Sequence, residues 1–362
     1  MKSFVHKIKP HVQAIRPYEL DYVDAAIQLD MNENPIDTPA AIKEAVVKQL
    51  QSRPWTRYPE LHPHALYQKL SRFVGWPEEG LLIGNGSNEI LKMVLTAAIG
   101  PDDRVVVVQP SFSVYRQMVQ VTGAQFIPVM LTPDLKFDVD AVCRAAKDSD
   151  LTIVCTPNNP TGTTLQDEGI RKILAVARGL VIIDEAYHEF SHHTVKGLLP
   201  EFPNLIILRT FSKAMAMAGL RIGYLMSEAK LTGEIEKAKL PYNLNFMSIA
   251  AAEAGLDHAD LLQANVECVI ELRDRLISEL QAIPGVEVFP TGSNFILFRT
   301  PQPGSEIFEA LYRRSILIRD VSAQPLLDRC LRVSVGTAEE NQTFSQALRE
   351  VLETAGTSKG GL

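Results

Sequence analysis

The chain has 362 residues, a length that suits two domains, and its 46% hydrophobic and 22% charged composition is typical of a globular protein. A net charge of −7 without a long basic run argues against nucleic acid or anionic lipid as a partner. The four cysteines are far apart, which argues against a disulfide framework or a zinc site. No apolar run reaches the length of a signal-peptide core or a membrane span, so a cytoplasmic protein is expected.

Short apolar runs rich in β-branched residues alternate with helical patterns through the middle of the chain. The apolar runs predict strands at residues 104–109, 151–155, 180–184, 205–210 and 220–225. The patterns around them predict helices at residues 40–50, 88–99, 165–177 and 260–280. Several strands are apolar on both faces, which indicates an α/β fold with a mostly parallel sheet covered by helices.

The pattern of predicted strands and helices changes near the C-terminus, where a smaller α+β domain is expected. Its predicted strands cover residues 293–299, 316–319 and 331–335, and its predicted helices cover residues 305–314 and 340–353. We therefore predict a large domain over residues 36–265 and a small domain over residues 266–362. Residues 1–35 show no clear periodicity and are predicted to form an arm that packs on the small domain or on a partner subunit.

A glycine-rich segment, Gly-Asn-Gly-Ser-Asn-Glu-Ile at residues 84–90, follows a predicted strand and opens a helix. The free N–H groups and partial positive charge of a helix N-terminus can hold a phosphate. The segment could equally be an ordinary turn in which Ser87 or Asn88 caps the helix. Its spacing is not G-x-G-x-x-G, so a dinucleotide fingerprint is excluded.

Polar residues follow two of the predicted buried strands, at the sheet edge where open α/β proteins bind ligands. The sequence of residues 156–162, Thr-Pro-Asn-Asn-Pro-Thr-Gly, is explained by turn chemistry alone or, because it has a second asparagine, by a side chain that binds a ligand. Asp184, which begins Asp-Glu-Ala-Tyr, is costly to bury unless a cation pairs with it. Alternatively, it caps the helix that follows.

Three cationic residues are candidates for chemistry in the second half of the chain. Lys213 follows a strand and precedes a segment, residues 214–220, that carries no charge. A desolvated lysine has a lowered pKa and can attack a carbonyl, although most lysines are solvated surface charges. Arg319 and Arg332 lie beside predicted strands and could bind phosphate or carboxylate, or form surface salt bridges.

Together these segments resemble the fold-type-I, aspartate-aminotransferase-like family of pyridoxal-phosphate enzymes. The resemblance covers nearly the whole chain in order. Its most specific part is Ser212-Lys213 followed by Gly-Leu-Arg-Ile-Gly-Tyr at residues 219–224. Asn-Pro-Thr-Gly at residues 159–162 and Asp-Glu-Ala-Tyr at residues 184–187 complete it. It implies a pyridoxal-phosphate-dependent aminotransferase with a large and a small domain.

The resemblance also implies a role for each motif residue. Lys213 would carry the cofactor as a Schiff base and then act as general base. Asp184 would pair with the pyridine nitrogen, Asn159 and Tyr187 would hydrogen-bond the phenolic oxygen, and Phe112 would stack on the ring. The cofactor phosphate would contact a larger set, namely Ser87, Asn88, Thr210, Ser212, Arg221 and Tyr58. Tyr58 would come from a neighbouring subunit, which implies a homodimer.

Four further segments resemble one branch of the family: residues 29–35, 57–59, 318–321 and 331–337. This branch transaminates imidazole acetol phosphate with glutamate, giving histidinol phosphate and 2-oxoglutarate in L-histidine biosynthesis. The resemblance implies that Arg319 and Arg332 bind the substrate phosphate and, in the other half-reaction, glutamate carboxylates. Asn294 and Tyr18 are weaker substrate-binding candidates. Two alternatives of the same fold are a threonine-phosphate decarboxylase and an aromatic amino acid aminotransferase.

Overall fold

The computed structural model describes residues 4–17 and 24–357. Its strands, in chain order, are β1 (Ile27–Gln28), β2 (Leu81–Gly84), β3 (Arg104–Gln109), β4 (Gln125–Met130), β5 (Leu151–Cys155), β6 (Leu180–Asp184), β7 (Leu205–Thr210), β8 (Gly223–Met226), β9 (Glu287–Val288), β10 (Phe295–Arg299), β11 (Ile316–Leu317), β12 (Arg319–Asp320) and β13 (Cys330–Ser334). They form a seven-stranded, a four-stranded and a two-stranded sheet.

The helices cover both faces of the large sheet and one part of the small one. In chain order they are α1 (Pro10–Gln13), α2 (Ala40–Ser52), α3 (His64–Val74), α4 (Ser87–Ala98), α5 (Ser113–Thr122), α6 (Val139–Ala146), α7 (Asp167–Val176), α8 (His188–Ser191), α9 (Ala229–Glu236), α10 (Phe246–Asp257), α11 (Ala259–Gln281), α12 (Gly304–Tyr312) and α13 (Ala338–Thr357). Among the described residues, none of these helices combines the length and the apolarity that crossing a membrane would require.

The large sheet has the strand order β2-β8-β7-β6-β5-β3-β4. Only β8 runs against its neighbours, and the adjacent pairs from β7 to β4 are all parallel. Every residue of β5 and β7 is buried, because helices pack on both faces of the sheet. The predicted mostly parallel, helix-covered sheet is therefore confirmed.

One predicted strand in this sheet is placed wrongly. The apolar run at residues 220–225 was expected to be extended throughout, but β8 begins only at Gly223. Ala218–Leu220 forms a 3-10 turn, and Arg221 adopts a left-handed backbone with φ of 54°. This turn directs the Arg221 side chain toward the start of α4, so a polar contact overrides the apolar pattern.

The small sheet has the order β12-β13-β10-β9 and is antiparallel. The N-terminal segment joins this unit, because β1 pairs with β11 in parallel and Leu29 is buried in the core formed with α11, α12 and α13. Farther upstream, α1 contacts α5 of the large unit instead. The predicted domain limits, 36–265 and 266–362 with the arm 1–35, remain a prediction.

Candidate active site

A cavity of about 470 Å³ lies between the large sheet, the small sheet and the N-terminal segment. Its walls include the C-terminal ends of β5, β6 and β7, the start of α4, and the paired strands β12 and β13. Twelve of the predicted site residues line it: Ser87, Asn88, Phe112, Asn159, Asp184, Tyr187, Thr210, Ser212, Lys213, Arg221, Arg319 and Arg332. Parallel strands end at one edge, so their following residues meet there although they are far apart in sequence.

Asp184 lies at the end of β6 and is buried. Its Oδ2 accepts a hydrogen bond of 2.7 Å from the Tyr115 hydroxyl, and its Oδ1 accepts one of 3.0 Å from the Ala186 amide. Burial raises the pKa of this carboxyl to about 6, while the Tyr115 hydrogen bond opposes the rise. Asp184 does not cap the next helix, which begins only at His188 with Tyr187 as its N-cap. That alternative is wrong.

The segment after Tyr187 begins with the short helix α8, His188–Ser191. Its buried Phe190 packs into a small core that also contains Tyr187, which explains why this turn is ordered as a helix. The tight turn after it, in which His192 has φ of 52°, exposes that histidine.

Lys213 lies in the turn after β7, and its amine faces the cavity. Its Nζ donates a 2.8 Å hydrogen bond to the Met31 carbonyl oxygen of the N-terminal segment. Burial lowers the pKa of this amine to about 8, and the charge of Arg332 lowers it further in the same direction. A substantial neutral fraction near pH 8 makes Lys213 a competent nucleophile and base, which a solvated surface lysine is not.

The start of α4 forms a cup with the turn before β8. Gly86 is the helix N-cap and has φ of 79°, and no side chain caps the helix. A Cβ on Gly86 would lie 2.5 Å from Arg221 Nη2, and one on Gly223 would lie 2.3 Å from the Ser87 amide nitrogen. Both glycines are therefore needed for the close approach. Because the first amides of a helix have no acceptor within it, the cup presents donors to an anion.

Hydroxyl groups complete this cup. Arg221 Nη1 donates to Ser212 Oγ at 3.2 Å, and Thr210 Oγ1 donates to the same oxygen at 3.0 Å. The backbone amide of Ser212 in turn donates to Thr210 Oγ1 at 3.1 Å. The arrangement of a helix N-terminus, a guanidinium and two hydroxyls matches what a phosphate monoester requires. Neither Ser87 nor Asn88 acts as a side-chain cap, so the ordinary-turn alternative is not observed.

A buried hydrogen-bond network occupies the opposite wall. The Tyr187 hydroxyl accepts from Asn32 Nδ2 at 3.0 Å and from Asn159 Nδ2 at 3.3 Å. Asn159 Oδ1 accepts from Arg332 Nη1 at 2.6 Å. Because the Tyr187 oxygen receives two donors, its own proton is left to donate into the cavity. Burial raises the pKa of this phenol well above its usual range, which keeps that proton in place.

The two predicted arginines come together across paired strands. Arg319 of β12 and Arg332 of β13 are direct partners in the antiparallel register and line the same part of the cavity. Arg332 is buried and also donates from Nη2 to the carbonyl oxygen of Asp30. The alternative interpretation, surface salt bridges, does not fit, because both arginines line the cavity and Arg332 is buried.

Two predicted residues lie outside the cavity lining. Asn294 is buried behind the cavity wall, where its Nδ2 donates to the carbonyl oxygens of Asn32 and Glu33. Tyr58 lies outside the cavity and is 78% exposed, with its ring stacked on Tyr242 at 4.6 Å. Tyr18 lies outside the described residues.

Sequence reasoning assigned no role to two residues that the structure places in the site. Tyr115 lies three residues after Phe112, and its hydroxyl donates a hydrogen bond to Asp184. Asn32 lies in a segment without periodicity, yet it bonds Tyr187 and Ser334. The three-residue spacing from Phe112 to Tyr115 could have indicated the first, because such residues share one face of a helix. No periodic pattern indicated the second, although Asn32 lies in residues 29–35, which carry part of the resemblance.

A model of the family described as aminotransferase class I and II matches residues 24–348. The chain belongs to this family. A histidinol-phosphate aminotransferase of Chlorobium phaeovibrioides is 36% identical over 351 residues, which cover 96% of this chain and 97% of that protein. The family membership confirms the predicted pyridoxal-phosphate-dependent transferase, with pyridoxal phosphate as its cofactor.

Solved structures share the fold. The histidinol-phosphate aminotransferase of Sinorhizobium meliloti in complex with pyridoxal-5'-phosphate has a TM-score of 0.87 at 23% identity, covering 96% of this chain and 98% of that chain. The L-threonine-O-3-phosphate decarboxylase of Porphyromonas gingivalis has a TM-score of 0.79 at 24% identity, covering 90% and 99%. These likenesses confirm the predicted fold class and leave the reaction to be argued from the site.

The cavity fits this cofactor on three observations. At the cup, Gly86 and Gly223 let the Arg221 guanidinium and the first amides of α4 approach one another, and these donors suit an anion. The carboxylate of Asp184 is buried and accepts from neutral donors alone, so a ring cation would compensate its charge. Lys213 presents an amine of lowered pKa to the same space. Phosphate, ring nitrogen and aldehyde therefore each have a complementary group.

Proposed function

We propose that the protein is a histidinol-phosphate aminotransferase, which transfers the amino group of glutamate to imidazole acetol phosphate in L-histidine biosynthesis. The observation that carries this proposal is the arginine pair, Arg319 and Arg332, which line the same cavity as Lys213. The names of the full-length relatives support it. A cytoplasmic location remains our expectation.

Each motif residue has a task in this proposal. Lys213 would hold the cofactor, and its Nζ as a free amine would carry the proton that leaves the substrate Cα. Asp184 would pair with the protonated pyridine nitrogen, and the Tyr187 hydroxyl and Asn159 amide would bind the phenolic oxygen. Pyridoxal phosphate, when bound, supplies an electron-withdrawing ring that stabilises negative charge at the substrate Cα. Phe112 lines the cavity and supplies a flat apolar surface for that ring.

The arginine pair accounts for the two substrates. Histidinol phosphate carries a phosphate, and glutamate carries one carboxylate on the reacting carbon and a second one at the end of its side chain, so both substrates need cationic donors. A guanidinium can bind either group through two parallel hydrogen bonds, because their oxygens are similarly spaced. We assign the substrate anions to Arg319 and Arg332, and the cofactor phosphate to the separate cup formed with Arg221.

This function is tested by the visible spectrum of the protein with bound pyridoxal phosphate. Histidinol phosphate and glutamate, added separately, are each expected to bleach the absorbance of the bound cofactor. Histidinol, which lacks only the phosphate, is the matched control and should need about a hundredfold higher concentration, because two charge-assisted hydrogen bonds are lost. The measurement is the concentration of each amine at half-maximal bleaching.

The other outcomes separate the alternatives. Bleaching by glutamate and aromatic amino acids but not by histidinol phosphate would keep the transaminase and overturn the substrate. Release of carbon dioxide from threonine phosphate, without glutamate formation, would make the protein a decarboxylase. Equal responses to histidinol and histidinol phosphate would remove the phosphate-binding role of the arginine pair.

We further propose a homodimer in which Tyr58 completes the site of the other subunit. Tyr58 and Tyr242 form an exposed aromatic pair, and Trp55, Leu240 and Met247 are also exposed around this part of the surface. Large exposed apolar side chains in one region are typical of an interface. A second copy of this chain would cover them and bring the Tyr58 hydroxyl to the cofactor phosphate.

Tyr58→Phe is expected to weaken cofactor binding about tenfold, because one hydrogen bond to a charged phosphate is lost. Tyr242→Phe removes a hydroxyl from the same surface and should leave cofactor binding within about twofold of the parent. The dissociation constant is measured by fluorescence titration, and the mass in solution by light scattering. A monomer that remains fully active would contradict the shared site.

A further inference from the structure

Tyr115 is buried and donates a hydrogen bond to Asp184, but it has no role in the proposed function. It is the third residue of α5, one turn after Phe112, and its ring packs edge-on against the Phe112 ring at 5.5 Å. Phe112 and Tyr115 both line the cavity, and the Tyr115 hydroxyl reaches the Asp184 carboxylate. Tyr115 is 1% exposed, so its position is fixed by packing.

The two oxygens of Asp184 are held by two different neutral donors. Tyr115 binds Oδ2 and the Ala186 amide binds Oδ1, so the carboxylate plane cannot rotate without losing one of them. The Ala186 bond is local to the turn after β6. The Tyr115 hydrogen bond comes from another element, α5. It therefore connects the Asp184 carboxylate to the helix whose N-cap is Phe112.

The Tyr115 hydroxyl keeps its proton in the neutral pH range and can therefore donate a hydrogen bond to Asp184. Burial, followed by the nearby carboxylate of Asp184, raises the pKa of the phenol well above its ordinary value. The other titratable groups around Asp184 are Cys155 on β5, whose thiol pKa is raised by burial, and Tyr187 and Glu185 after β6. Glu185 is paired with Arg209 on β7 at 2.9 Å.

We infer that Tyr115 is a positioning residue for the transamination: its hydroxyl fixes the orientation of the Asp184 carboxylate, which would pair with the ring cation of the cofactor. A carboxylate that accepted only the Ala186 amide would be free to turn and would take up a proton more readily. It would then be a poor partner for a ring cation. This inference rests on the proposed role of Asp184 in cofactor binding.

The first test uses the full-length protein without added cofactor, so it does not depend on the substrate. Tyr115→Phe removes one hydroxyl that donates to the Asp184 carboxyl, whose pKa of about 6 makes it mostly ionised at pH 8 and mostly protonated at pH 5. Hydrogen bonds to charged groups are about twice as strong as neutral ones. The fall in Tm caused by Tyr115→Phe should therefore be about twice as large at pH 8 as at pH 5.

The control is the same substitution in an Asp184→Asn background, where position 184 carries no charge at either pH. There the fall in Tm should be equal at pH 5 and pH 8. An equal fall at both pH values in the parent background as well would reduce Tyr115 to a packing residue and overturn the inference. This result would not touch the proposed function, which the spectral test addresses separately.

The second test uses the enzyme with bound cofactor. Tyr115→Phe should lower kcat about tenfold at pH 7 and move the acid limb of the kcat profile upward by about one pH unit, with KM for glutamate nearly unchanged. Tyr67→Phe is the matched control, because Tyr67 is an equally buried tyrosine outside the cavity. A parallel change in both variants, or an unshifted acid limb in Tyr115→Phe, would contradict the positioning role.

Discussion

Lys213→Ala is expected to abolish transamination and covalent cofactor binding while the fold persists. The amine is the only lysine nitrogen that lines the described cavity, so no other lysine can replace it. Loss of proton transfer alone is expected to lower kcat by about 10²- to 10⁴-fold. Because burial has lowered the pKa of this amine to about 8, its removal relieves a desolvated cation, and Tm at pH 7 should not fall.

The measurement is mass spectrometry after borohydride reduction of the protein with pyridoxal phosphate, together with the rate of glutamate turnover. The parent should gain the mass of one reduced cofactor per chain, and Lys213→Ala should gain none. Lys196→Ala is the matched control, because Lys196 is also partly buried and donates to a backbone carbonyl, that of Val74, outside the cavity. Cofactor attachment in Lys213→Ala, or its loss in Lys196→Ala, would overturn the assignment.

The central strands could be predicted because their residues are buried on both faces. Leu151–Cys155 and Leu205–Thr210 are mostly apolar, and the strands in the structure have the predicted limits. β4, by contrast, was not predicted, because this edge strand contains Pro128 and is only partly buried. The strand predicted at residues 220–225 begins too early for a different reason: its first residues belong to the turn that positions Arg221.

The cofactor side of the site was predictable and the contacts behind it were not. Asp184 and Lys213 each follow a strand that the sequence marks clearly, and the ends of parallel strands must meet. Asn32, however, bonds Ser334, a residue 302 positions away. Such pairing depends on how the N-terminal segment crosses the small sheet, and no periodic pattern in the sequence encodes that path.

The buried charged residues of the cavity could be recognised as functional from the sequence, because burial of a charge needs a chemical reason. Burial raises the pKa of Asp184 and lowers that of Lys213, so each group is shifted toward its neutral form. A bound ring cation would stabilise the carboxylate, and a neutral amine is the form that attacks an aldehyde. The same desolvation that would be costly in a structural protein is therefore useful here.

Arg332→Ala is expected to lower kcat/KM for histidinol phosphate about a hundredfold or more, chiefly through KM. The buried guanidinium would contribute two charge-assisted hydrogen bonds to the substrate anion, each worth about 1.5–3 kcal/mol. The loss should appear with glutamate as well, because we assign both anions to the same arginine pair. Arg332→Lys keeps the charge but not the paired donors. Its kcat/KM should therefore lie between the values of the parent and of Arg332→Ala.

Arg299→Ala is the matched control, since Arg299 lies on the neighbouring strand β10 and pairs with Glu287 at 2.6 Å, away from the cavity. Its steady-state constants should stay within about twofold of the parent, as for other surface changes. Arg332 also donates to Asn159, so its loss could act on the cofactor instead of the substrate. A weakened cofactor dissociation constant with an unchanged KM would mean that Arg332 serves only to hold Asn159, and the substrate anion would then belong to Arg319 alone.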